Sequence, residues 1–414
     1  MPDSPRRVVV TGIGPVTPIG TGVEDFWRAL LEGKSGIGPL TRFDPAEFAV
    51  QIAGEINDFE VEDYLPPKRA RRHDRFSQFA FAAGKLALDD AGLEPTDPDP
   101  ARVAIVIGTG IGGIAIYEQE HEAMLQKGPR FVSPELIAKM IPNAAAGLMA
   151  IEFGFTGPNE CTVTACASSG HAIARAFDLI AGGMADVALA GGTEAAITPL
   201  ALASFCSARA LSRRNDDPKT ASRPFDADRD GFVLSEGATV LVLETLESAT
   251  ARGARILGEI IGYGLSADAY HTVAPHPEGA GASAAMTAAL AKASVLPDEV
   301  DYINAHGTST PLGDVSETKA IRKVFGNNPP PTSSTKSMTG HLLGAAGSTE
   351  VAATLLAMRD QILPPTINYE TADPDCDLDV VPNEARPAKV EMALSNSFGF
   401  GGHNASILMV GHAR

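Results

Sequence analysis

Short runs of β-branched and other apolar residues, most of them closing on glycine, recur along this chain. They read RRVVVTGIG (Arg6–Gly14), RVAIVIGTG (Arg102–Gly110), DVALAGG (Asp186–Gly192) and TVLVLETL (Thr239–Leu246). A strand that is apolar at nearly every position leaves no face for water, so it belongs in a sheet covered on both sides. Helical patterns between the runs supply the cover. The clearest, DRFSQFAFAAGKLALDDAGL (Asp74–Leu93), carries a helix stop at Gly92. Strand and helix in alternation predict stacked α/β layers.

The pattern restarts after TLESATARGA. RILGEIIGYG (Arg255–Gly264) reads as a strand, GASAAMTAALAKA (Gly281–Ala293) as an Ala-rich helix and VDYINAHG (Val300–Gly307) as a second strand. A small-residue helix in the first half, CASSGHAIARAFDLIAGG (Cys166–Gly183), is echoed by GHLLGAAGSTEVAATLLAMRDQ (Gly340–Gln361) in the second. The echo suggests a duplicated unit, residues 1–254 and 255–414, within a chain whose 414 residues suit two or three domains.

Charge and cysteine usage exclude whole classes. A net charge of −18 opposes general binding to nucleic acid, whose phosphates need a positive field. No apolar run approaches the roughly 18–20 residues that cross a bilayer. MPDSPRRVVVTGIG passes from a basic start directly into a strand, so no signal peptide is expected. Cys161, Cys166, Cys206 and Cys376 are scattered and form no CxxC, which argues against a disulfide framework or a structural zinc site. A cytoplasmic setting follows as the expectation.

GTGIGG (Gly108–Gly113) matches the G-x-G-x-x-G pattern of dinucleotide sites and directly follows a strand. The next segment, however, offers no parallel strand ending in an acidic residue to hold a ribose. The glycines then serve a tight strand-to-helix turn.

Cys166 stands in TVTACASSGHAIARA among Ala, Ser, Thr and Gly. A thiol at a helix N-terminus feels a positive field that favours thiolate, and small neighbours leave room for an acyl group. The other reading is a buried core cysteine. His306 lies in NAHGTST between a strand end and a polar turn; His341 follows a glycine in STKSMTGHLLGAAG, five residues after Lys336. A cysteine with two such histidines suits acyl transfer through a covalent intermediate. NSFGFGGHNASILMV (Asn396–Val410) adds a glycine loop that lets backbone approach a ligand, with phenylalanines to wall an apolar channel. KRARRHDR (Lys68–Arg75) sets five basic residues and a histidine against the sign of the whole chain, as a dock for an acidic partner would.

These motifs, in this order, are those of the β-ketoacyl-[acyl-carrier-protein] synthases, which the chain resembles over essentially its whole length, most closely the type II enzymes of bacterial fatty-acid synthesis. The resemblance implies a thiolase-like fold of two pseudo-symmetric α/β/α/β/α halves in a five-layered core, normally a homodimer. It implies decarboxylative Claisen condensation of malonyl- with acyl-carrier protein, and no metal or redox cofactor. It makes Cys166 the acylated nucleophile and His306 and His341 the pair that drives decarboxylation. Lys336 and Glu350 become ordering residues, with Asp268 and Asp314 as further supports. Thr308 and Thr310 match positions that hold the pantetheine amides. Phe400 matches the gating phenylalanine, its N–H joining that of Cys166 in an oxyanion hole, and Ile111 and Phe205 match acyl-pocket positions. Lys68, Arg71, Arg72, Arg130 and Arg209 fall where the family docks its acidic carrier. His403 departs from the Thr found there in many members.

Three neighbouring functions compete. A non-decarboxylating thiolase would carry a second cysteine in the C-terminal glycine loop, and Phe398–Asn404 has none. A chain-length-factor partner would lack the nucleophile. A type II polyketide ketosynthase shares the Cys-His-His set.

Overall fold

The apolar runs form the strands expected of them. In the computed structural model, which describes residues 6–412, Val8–Thr17 (β1), Val103–Gly108 (β2), Val187–Glu194 (β4) and Gly237–Thr245 (β5) are buried at every position. Met1–Pro5, within the stretch expected to lack a signal peptide, and Ala413–Arg414 lie outside the described residues. Asn159–Thr162 (β3) completes the first set. The second set comprises Gly258–Ala267 (β6), Tyr302–Asn304 (β7), Thr332–Ser333 (β8), Met392–Gly399 (β9) and His403–Val410 (β10).

One continuous sheet contains both sets. From its first edge the order is β3-β2-β4-β5-β1, and from the other edge it is β8-β7-β9-β10-β6, the same order five strands later. They meet where β1 and β6 pair antiparallel, Val8 opposite Ile260. In each set the edge pairs are parallel (β2 with β3 and β4; β7 with β8 and β9) and the inner pairs antiparallel. The chain is therefore mixed α/β built on a repeated topology.

The helices repeat as well. Arg75–Ala91 (α1), Ile114–Lys127 (α2), Ser168–Ala181 (α3) and Pro199–Ser207 (α4) belong to the first half; Ala280–Ala293 (α5), Pro311–Phe325 (α6) and Ala346–Asp360 (α7) to the second. Helix α1 covers β1 and β5 from outside, and α5 covers β6 and β10. Between the two halves of the sheet lie α3 and α7, each touching strands of both sets and each other. Outer helix, sheet, paired inner helices, sheet and outer helix make five layers.

Glycine sets the spacing of the outer layers. A Cβ on Gly14 would stand 1.9 Å from the Ala83 carbonyl oxygen of α1, and one on Gly264 would stand 1.9 Å from that of Ala285 in α5. Gly12 and Gly262 face Ala87 and Ala289 in the same way. Strand and helix backbones thus touch without side chains between them, at equivalent places in both halves. Helix α1 starts where Asp74 accepts from the Phe76 amide and stops at Gly92, whose φ of 58° is the left-handed cap read from the sequence. Among the described residues no helix is long and apolar enough to cross a membrane.

Candidate active site

The inner helices begin at one place. Ser169 of α3 accepts from the Ser348 amide of α7 at 2.9 Å, so the two N-termini cross. What precedes each helix supplies the chemistry.

Before α3 the chain makes a tight turn at Thr164–Ser168. Ala165 is left-handed (φ 51°), a conformation that costs a non-glycine residue about 1–3 kcal/mol and needs enforcement. Ser168 enforces it, its hydroxyl donating to the Ala165 carbonyl at 2.6 Å and accepting from the Thr164 amide at 2.9 Å. Cys166 is presented at the crest, 7% exposed. It stands two residues ahead of the helix, with Ala167 as the N-cap.

The expectation of a thiolate is corrected here. Burial pushes the Cys166 thiol up to about 12; the Lys336 charge and a hydrogen bond from the Phe400 amide pull it down, while Glu194 and Glu350 raise it further. Desolvation is the largest of these effects and acts opposite to the field of the helix end.

Two imidazoles line the same cavity as Cys166. The His306 and His341 rings lie 5.4 Å apart, edge to face. Burial, reinforced by the Lys336 charge, holds both well below the ordinary 6.5, so both are neutral at pH 7. His306 follows β7, where Glu317 of α6 accepts its amide at 2.8 Å and that of Gly307 at 2.7 Å. Lys336 donates to the His306 carbonyl (2.6 Å), approaches His306 Nδ1 at 3.3 Å and ion-pairs with Glu350. With Nδ1 facing an ammonium, the ring proton of His306 belongs on Nε2. His341 is fixed by strand-like pairing with the 233–235 segment, its amide on the Val233 carbonyl (2.8 Å) and its carbonyl on the Ser235 amide (3.0 Å). Lys336 and Glu350 do not line the cavity; Lys336 contacts His306, and Glu350 contacts Lys336.

The Gly-Phe-Gly-Gly turn between β9 and β10 closes the site. Gly399 passes over the cysteine turn, where an added Cβ would stand 2.7 Å from the Thr164 carbonyl and 3.1 Å from the Cys166 amide. Phe400 lines the cavity beside the sulfur. Asp268, also in the lining, braces this turn. It accepts from Asn404 at 2.8 Å and donates its amide to the Gly402 carbonyl at 2.9 Å. His403 is exposed, its ring 6.5 Å from that of His171 on α3.

Ile111 and Phe205 both reach the cavity. Phe205 begins an aromatic series, packing edge to face on Phe232 (5.4 Å), which packs on His341 (5.3 Å). Thr308 and Thr310 stand at the cavity wall, hydroxyls 3.0 Å apart, and Thr310 also caps α6 by accepting from Gly313. Asp314 lies outside the lining. It accepts the Phe225 amide at 2.8 Å beside Arg229, and burial raises its carboxyl to about 6.

Glu194, Glu317 and Phe232 were not singled out from the sequence. The amides of Gly110 and Ile111, within the glycine motif that resembles a phosphate cradle, are taken at 2.7 and 3.2 Å by the chain's own Glu194. A carboxylate ending the buried run DVALAGGTE was the available signal.

The basic stretch is divided by the fold. Arg75 turns inward to Glu236 (3.1 Å), its guanidinium 4.4 Å from the Phe79 ring centre, and Arg69 pairs with Glu152. Lys68, Arg71, Arg72, Arg130 and Arg209 are exposed. Arg72 comes within 4.0 Å of Glu135.

Comparison with known proteins gives the arrangement relatives. Residues 5–249 match the model of the β-ketoacyl synthase N-terminal domain and residues 257–370 that of the C-terminal domain. The chain is 53% identical over 404 residues, 97% of both chains, to 3-oxoacyl-[acyl-carrier-protein] synthase 2 of Synechocystis sp.. It superposes on the ishigamide ketosynthase/chain length factor with a TM-score of 0.93 at 40% identity, covering 99% of this chain and 100% of the other. A type II PKS ketosynthase solved with its acyl-carrier protein and bound to the hexaketide gives a TM-score of 0.90 at 36% identity, with 99% and 100% covered.

Proposed function

Since the chain belongs to the β-ketoacyl synthase family, we propose that it extends fatty acyl chains by condensing malonyl- with acyl-carrier protein, releasing carbon dioxide and 3-oxoacyl-carrier protein. One observation carries the assignment of roles: Cys166, His306, His341, Thr308 and Thr310 share a single cavity between the halves.

In the first half-reaction the Cys166 sulfur attacks the acyl thioester as its thiol proton is given up. The acyl–sulfur bond to the carrier breaks, the departing pantetheine sulfur takes that proton, and an acyl-cysteine remains. Exchange of one thioester for another needs little driving force. In the second, malonyl thioester loses carbon dioxide and charge gathers on the thioester oxygen. Imidazole N–H donors aimed there contribute on the order of 10²–10³ each in rate, by oxyanion-hole precedent. The enolate carbon then attacks the acyl-cysteine carbonyl. The amides of Cys166 and Phe400 receive that oxygen, and the expelled cysteine sulfur takes up one proton from solvent, the proton that the overall condensation consumes.

Thr308 and Thr310 bind the pantetheine arm, Phe400 gates the acyl pocket, and Ile111 and Phe205 line it. Lys68, Arg71, Arg72, Arg130 and Arg209 orient the acidic carrier against the repulsion of a net charge of −18. We assign residues 1–254 and 255–414 as the two ketosynthase halves, and the cytoplasm as the setting. A homodimer is supported by β3, an edge strand with one side unpaired among the described residues and exposed Val163 next to it, which a second copy would cover. The fatty-acid reading is favoured over the polyketide one by the 53% identity to the Synechocystis enzyme, against 36% to the type II PKS ketosynthase.

The test is a product profile from malonyl-carrier and acyl primers of graded length, including a long unsaturated one. Formation of 3-oxoacyl-carrier with one carbon dioxide per condensation supports the reading; acyl transfer without carbon dioxide release refutes it.

A further inference from the structure

Glu194 ends β4 in the nucleophile half, wholly buried. Its contacts are uncharged donors: the amides of Gly110 (2.7 Å) and Ile111 (3.2 Å), the Thr109 hydroxyl (3.0 Å) and the Gly344 amide (3.1 Å). The first three belong to the turn after β2. Gly344 comes from the histidine half, three residues after His341.

The approach is close enough to require glycine on both sides. A Cβ on Gly110 would stand 2.8 Å from Glu194 Oε2, and one on Gly344 would stand 2.4 Å from the Gly110 amide nitrogen. Gly110, Ile111 and Leu343 all line the cavity that holds Cys166. Burial raises the carboxyl to about 6 against the pull of these donors, so at neutral pH it is mainly ionised. An apolar residue of similar size would strand three amides without acceptors in a dry interior.

We infer that Glu194 is a positioning residue for acyl-chain reception, its carboxylate pinning the Thr109–Ile111 turn at the cavity mouth to the Gly344 turn behind His341. The inference rests on the ketosynthase reading. Ile111 is 36% exposed at that mouth while its amide is fixed. Releasing the amide lets its side chain drift across the path that a long acyl chain must follow. A short primer, which ends near Cys166, has less to pass. The glycine motif thus acts through an internal anion: its amides hold the chain's own carboxylate, and the carboxylate holds the mouth open.

The experiment compares wild type, Glu194→Gln and Thr109→Val with a short and a long acyl-carrier primer, measuring kcat and KM for each. Gln removes the charge and turns an N–H toward the donors; Val keeps the shape of Thr109 and deletes one donor. Glu194→Gln is expected to lower the long-to-short ratio of kcat/KM by roughly tenfold, part of the ~10²-fold that a misplacement of about an ångström can cost. Thr109→Val should move the ratio the same way by less, and it carries the test alone if Glu194→Gln does not fold. A purely structural loss of active enzyme scales both primers equally and leaves the ratio unchanged; that result overturns the inference. Wild-type enzyme that condenses neither primer overturns the reading beneath it instead.

Discussion

The nucleophile half and the histidine half share strand order, inner helix and the glycine contacts of their outer helices, yet they deliver different chemistry to one cavity. In the first, a short turn ahead of α3 lifts a single sulfur, held by Ser168 and by a left-handed Ala165. In the second, the approach to α7 is longer and carries Lys336 and His341 among buried polar groups, with Glu350 on the helix itself. The repeated fold brings two helix starts face to face. In the proposed reaction, side chains in the connecting turns make one the acyl acceptor and the other the decarboxylating centre.

Removing the sulfur should split the halves most sharply. Cys166→Ala is expected to lower condensation by about 10⁴-fold or more, the scale seen when a covalent nucleophile is lost. Release of carbon dioxide from malonyl-carrier should continue above background. Loss of both reactions together in a folded variant would show that the histidine half has no chemistry of its own.

The reverse deletion is smaller. His341→Ala should reduce decarboxylation by about 10²–10³, the worth of one oxyanion donor, while acyl transfer to Cys166, followed by mass spectrometry, persists. If acyl transfer falls as far as decarboxylation, His341 serves the nucleophile half too.

Alkylation with iodoacetamide sharpens the account of Cys166 itself. With the thiol pushed up to about 12, the reactive thiolate fraction grows as pH rises. The rate should climb about tenfold per unit, some 10²-fold between pH 7 and 9, for a group titrating above that range. A plateau below pH 8 would restore the helix field as the dominant effect.

The carrier dock should give the smallest change. Reversing charge at Arg71 and Arg72 is expected to raise KM for acyl-carrier substrates roughly tenfold, as rim charges act on encounter, while small-molecule thioesters are used as before. Equal effects on both substrates would place those arginines nearer the chemistry than the exposed surface they occupy.

Much of this architecture is legible in the sequence because the signals are local. The β-branched runs became fully buried strands, and Asp74 and Gly92 bracket α1 as their capping chemistry requires. The Cys166, His306 and His341 segments were readable for the same reason: each sits where a strand or turn yields to a helix or glycine. The electrostatics were not readable. The dipole argument for a thiolate uses neighbours in the chain, whereas desolvation comes from layers far away in sequence. Glu194 and Glu317 were missed alike, since a carboxylate that holds amides reveals its purpose only once those amides are in place. Phe232, packed on His341, has no local mark at all.

The most direct measurement is covalent. Incubation with an acyl-carrier thioester, digestion and mass spectrometry should find the acyl mass on the peptide containing Cys166. Adding malonyl-carrier should then discharge it with one carbon dioxide per acyl group lost. An adduct on Cys161, Cys206 or Cys376, or a Cys166 adduct that malonyl-carrier leaves untouched, would contradict the account.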